Sequence, residues 1–138
     1  MREHLVPRVG TKILVPFILV FALYVQFHGD FGPGGGFQAG VIFAAGIILY
    51  TMVFGLGEGR RVVAPRALLT LVPLGVLIYA GVGVVCMLFG GEFLDYSALA
   101  HDPRHGQELG ILLVELGVGT TVAAVMITIF FAFAGRGE

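Results

Sequence analysis

Charge is what this sequence has least of: 12% of its 138 residues are Asp, Glu, Lys or Arg, against 57% that are hydrophobic. Eight basic and nine acidic residues leave a net charge of -1 with no basic tract, which argues against nucleic acid as a partner. Such a balance lies far outside that of water-soluble domains, so the chain is read as an integral membrane protein forming a single domain over residues 1–138. Cysteine is nearly absent too. The lone Cys86 excludes an internal disulfide and, inside an apolar run, is expected to serve packing against lipid or a neighbouring helix. Missing as well are a serine nucleophile, a cysteine–histidine pairing, a dinucleotide fingerprint and zinc-ligand spacing, so an enzyme is not expected. No small-x-small cleavage site follows the first apolar run before His28, and that run is read as a retained helix rather than a leader.

What is present is four apolar runs. Residues 13–27, 37–56, 67–89 and 109–134 predict an all-α protein of four transmembrane helices. The first is short for a bilayer needing about 20 helical residues, and snorkelling by Arg8 and Lys12 would extend it. Pro16 and Pro73 fall inside runs, where neighbouring helices can satisfy freed backbone groups. Gly55, Gly57 and Gly59 are expected to end the second helix, leaving Glu58, Arg60, Arg61, Pro65 and Arg66 as a charged connector. Arg2, Arg8, Lys12, Arg60, Arg61, Arg66 and Arg136 fall on one side by alternation, and Arg104 alone on the other. By the positive-inside rule both termini are therefore expected to be cytoplasmic.

Between the first two runs lies the glycine-rich stretch from His28 to Gly40, with Gly32, Pro33, Gly34, Gly35, Gly36 and Phe37 at its centre. Its backbone must turn sharply. A tight turn permitting close helix approach is one reading; a partly unwound helix start lining an ion or water path is another. A phosphate cradle is disfavoured, since no Walker lysine follows. Gly36, Gly40 and Ala44 recur every four residues and predict a small-residue groove for helix packing.

Glu115 is the one formal charge deep inside a run. Carboxylates at membrane depth are costly to bury and usually face a watery path or another helix. Glu108 lies seven residues earlier, about 10 Å outward on nearly the same face, giving an acidic stripe that enters from outside. A carboxyl so placed can hold a proton or exchange it for a small cation, or can hold an assembly together. The apolar runs contain no internal cation to pair with it, so its partner is expected from another chain or from solvent. His101 and His105 invite a metal reading that Pro103 between them disfavours, and His4 and His28 lie near opposite interfaces, which disfavours a bis-histidine haem. With one Gly/Pro break and no repeated halves, the chain reads as part of a larger assembly.

The segment Leu23-Tyr24-Val25-Gln26-Phe27-His28-Gly29, with Pro33-Gly34-Gly35-Gly36-Phe37-Gln38-Ala39-Gly40 and the later Gly106 to Ile111, resembles the MnhB/MrpB subunit of multisubunit Mrp-type cation/proton antiporters. The resemblance covers most of the chain. It implies a small, multi-pass subunit of a prokaryotic plasma-membrane Na⁺/H⁺ antiporter, moving Na⁺ (with Li⁺ or K⁺ as alternatives) against H⁺, with other membrane subunits as partners and no cofactor. It also implies functional importance at Pro33 and Phe37. Alternatives are a purely structural scaffold of that complex and a subunit of a related quinone-linked redox complex.

Overall fold

The computed structural model describes residues 4–28, 35–93 and 103–136, without the side chains of residue 28 and residues 103–108. Among the described residues the regular structure is entirely helical, with α1 at Leu5–His28, α2 at Gly36–Phe54, a short α3 at Leu56–Val62, α4 at Pro65–Leu88 and α5 at Pro103–Gly135. The long helices each contain a segment apolar and long enough to cross a membrane. Neither face of the chain's helices needs water to satisfy its backbone, which is why this is a viable architecture in lipid.

Three boundaries differ from the sequence expectation. α1 begins at Leu5 rather than near residue 13, and its 24 residues span about 36 Å, enough to cross the hydrocarbon core. Hydropathy missed these roughly two turns because Arg8 and Lys12 interrupt the apolar run, although both side chains are accommodated near the helix end. The charged connector is itself partly helical: Gly55, at φ 101°, separates α2 from α3, while Gly57 and Gly59 lie within α3. Only a residue free of a Cβ takes that φ readily. α5 begins at Pro103 rather than near residue 109, so the helix that carries Glu115 extends back through Glu108. Proline suits this first position because it has no N–H to leave unpaired.

The helices pack as a row, α1 beside α2, α2 beside α5 and α5 beside α4, with only a brief α1–α5 contact. α5 is thus central. Its neighbours approach through glycine. Against α2, a Cβ on Gly40 would lie 2.7 Å from the Gly119 carbonyl oxygen. Against α4, a Cβ on Gly117 would lie 2.7 Å from the Gly75 carbonyl oxygen, and one on Gly75 would collide with Gly117 and Thr121. These are backbone-to-backbone contacts of the kind that drive helix association where lipid and leucine are equally apolar. Thr121 Oγ1 donates to the Val72 carbonyl at 2.9 Å, tying α4 to α5 just before Pro73. Gly46 admits Ile18 and Leu19 of α1 in the same way.

The small-residue groove of α2 therefore faces α5 of the same chain. Ala44, the third member, joins Ile47, Leu68, Ala124, Ile127 and Phe131 in the core. Cys86 is fully buried, which makes it helix-facing. At one end of the row α3 folds back so that Gly59 meets Thr51 and Arg60 meets Gly135.

Gly75→Ala is expected to destabilise the chain by about 1–3 kcal/mol through overpacking at the α4–α5 crossing. Gly81→Ala, with nothing within 4 Å of its added carbon, should be neutral. Thermal unfolding of both variants in mild detergent measures the difference, and equal midpoints would contradict the crossing.

Candidate functional site at the amino end of α2

Gly35 precedes α2 at φ 139°, and no side chain caps the helix. The first turn contains no acidic residue. Its leading N–H groups and the positive end of its dipole consequently lack any local counterpart. The counterpart comes from α5: a Cβ on Gly35 would lie 3.4 Å from Glu115 Oε1, and one on Gly36 would overlap the Glu115 backbone carbonyl. One turn on, Gly40 repeats the approach against Gly119 and Val122. α2 and α5 run parallel here, so the carboxylate stands at the amino end of α2 with its own helix close behind.

This joins two features that the sequence presented separately. The glycines of the rich stretch are what lets Glu115 reach the helix end, and Glu115 gives that end a carboxyl group. The expectation of a partner from outside the chain is corrected in part: a helix terminus carrying about half a positive charge stands within the chain itself. Composition cannot reveal it, because backbone dipoles belong to no residue letter.

Other expected site residues fare differently. Phe37 is 62% exposed at the start of α2. Pro33, Gly34 and His101 lie outside the described residues, as do the side chains of His28, His105 and Glu108. Among the described residues no cluster of three His, Cys, Asp or Glu side chains is placed to hold a metal ion.

Gln26 is the residue that sequence reasoning passed over. It is 5% exposed, its Oε1 lies 2.6 Å from where a Cβ on Gly119 would sit, and its Nε2 has no hydrogen-bond partner among the described residues. It therefore fits against α5 one turn inward of Glu115. There it borders a largely apolar cavity of about 270 Å³, with Gly40, Leu116 and Thr120 among the other walls. A buried amide donor without a partner is unfavourable by about 1–3 kcal/mol, so this group is positioned to meet water or a partner's acceptor. An amide inside an otherwise apolar run was the available signal.

Gly36→Ala is expected to push α2 from Glu115 and to destabilise the chain by about 1–3 kcal/mol. Gln26→Leu, by contrast, removes the unsatisfied donor and should leave thermal stability of the isolated chain unchanged or raise it. A fall in midpoint for Gln26→Leu would mean that the amide has a partner within the chain.

Comparison with known proteins places the chain as a whole. A family model described as "Domain related to MnhB subunit of Na+/H+ antiporter" matches residues 6–128. A Staphylococcus haemolyticus protein named "Putative antiporter subunit mnhB2" is 38% identical, with 98% of each chain aligned. Its counterpart in Staphylococcus aureus strain Newman is 34% identical over the same share. With the match running from the start of α1 nearly to the end of α5 and with the four spans in place, this chain belongs to the MnhB-related family of membrane domains.

Proposed function

We propose that this chain is a small subunit of a bacterial Na⁺/H⁺ antiporter complex, a multi-pass plasma-membrane protein in which Glu115 stands on the cation path. The family match supports the antiporter assignment. The observation carrying the role of Glu115 is its position: a half-buried carboxylate inside an apolar span, against the amino end of α2. The helix dipole offsets part of the desolvation of the anion, and a proton or a monovalent cation can then neutralise it in turn.

In this reading the path enters from outside along α5, past Glu108, and reaches Glu115 after about 10 Å. Arg8, Lys12, Arg60 and Arg66 belong to helix ends gathered at the opposite side of the row, which supports placing both termini in the cytoplasm. Na⁺ is the proposed cation, with Li⁺ or K⁺ as alternatives, and Pro33 through Phe37 shape the outer entrance. One acid is too little to move an ion across a membrane. The remaining groups come from partner subunits packed on the open faces of the row, where large apolar side chains such as Phe17, Leu69 and Leu77 are exposed.

Those open faces also favour a second reading, in which the chain holds larger subunits in register. Cation-induced dissipation of a pH gradient in inverted vesicles separates the two. With the complex intact, Glu115→Gln is expected to weaken apparent Na⁺ affinity or rate by about tenfold or more, the loss of one charged contact in the path. Unchanged affinity and rate would remove Glu115 from the path. Loss of assembly, with normal activity in the surviving complex, would identify it as an interface group, and dependence on a quinone or NADH would mark a redox complex.

A further inference from the structure

The end of the row opposite Glu115 contains a polar cavity, about 400 Å³, bordered by Arg8 and Lys12 of α1, Tyr50 and Phe54 of α2, and Glu58 of α3. Arg8 and Lys12 are four residues apart and so share one helix face. The Arg8 guanidinium carbon lies 5.7 Å from the centroid of the Phe54 ring, and Lys12 Nζ lies 5.6 Å from the same centroid. Two cations thus converge on one buried ring, itself packed on Tyr50 with centroids 4.8 Å apart. Each cation is drawn to the ring's face, but the two repel each other.

Nothing described in the chain neutralises them. Glu58, the one carboxylate on the rim, is engaged by Arg61 at 3.4 Å. Neither Arg8 nor Lys12 forms an ion pair among the described residues. Beside them on α1, Val9, Ile13 and Phe17 are exposed, an apolar strip leading from the cations into the membrane span. Positive charge at the top and bare hydrocarbon below is the chemistry of a phospholipid with a net negative headgroup.

We propose that Arg8 and Lys12 form a binding site for an anionic phospholipid at the cytoplasmic surface. The phosphate sits between the guanidinium and the ammonium, with Arg8 able to donate two parallel hydrogen bonds. Tyr50 borders the cavity, and the acyl chains lie along Val9, Ile13 and Phe17. A free phosphate would use the cations but leave that strip unused. The site is distinct from Glu115 and independent of its role.

The chain contains no tryptophan, so Tyr50→Trp supplies a single fluorescent reporter in the cavity. The full-length variant is reconstituted in phosphatidylcholine vesicles containing either brominated phosphatidylglycerol or brominated phosphatidylcholine, and quenching gives the relative affinity. Phosphatidylglycerol is expected to be preferred about tenfold, from two basic groups at an anionic lipid surface. Arg8→Gln and Lys12→Gln should each reduce the preference and together abolish it, whereas the charge-keeping pair Arg8→Lys with Lys12→Arg should retain most of it. Arg66→Gln, at the same end of the row but outside the cavity, should leave it unchanged. Equal quenching by the two lipids would overturn the proposal, as would a preference that survives the double glutamine variant or falls equally with Arg66→Gln. Displacement of the lipid by millimolar inorganic phosphate would also overturn it, in favour of a soluble anion.

Discussion

A carboxylate and a helix terminus, each unfavourable in lipid on its own, meet at Glu115 and the first turn of α2. The uncapped start of α2 exposes N–H groups that water would normally satisfy. Glu115 brings a carboxyl group that lipid would normally reject. Each relieves the other, and the rest of the fold is arranged so that they meet: Gly35 and Gly36 have no side chain to hold α5 off, and Gly40 with Gly119 keeps the same closeness one turn further in.

From that contact the row follows. α5 cannot lie so close to α2 on one face and to α4 on the other unless it is small on both, and Gly119 and Gly117 provide the two faces. Close approach on both sides uses the stripe of small residues within the chain, so what remains for partners is the bulky apolar surface of the outer faces. This is the form expected of a subunit: internally tight, externally unfinished. Gln26, buried with an unsatisfied donor beside Gly119, fits the same description at the scale of one side chain.

The two ends of the row differ in chemistry because they face different surroundings. At the Glu115 end, polarity is carried by backbone and one acid. At the other, Arg8, Lys12 and the α3 arginines place fixed positive charge where headgroups lie. The short α3, made possible by the positive φ of Gly55 and the fit of Gly59 on Thr51, turns a connector into a cap over that end.

The sequence by itself determined the solvent, the number of spans, the resemblance to the antiporter subunit family and the singular position of Glu115. These follow from local hydropathy and from motif residues, which need no knowledge of neighbours. It misplaced the start of α1 and the nature of the α2–α4 connector, because a run of hydropathy ends at a charge although a helix need not. Which helix fills the Gly36, Gly40, Ala44 groove, that Glu115 faces the start of α2, and that the buried Gln26 Nε2 has no partner among the described residues were decided only by the tertiary structure. The physical reason is that packing joins residues about 80 positions apart, and that the charge opposite Glu115 resides in aligned peptide dipoles.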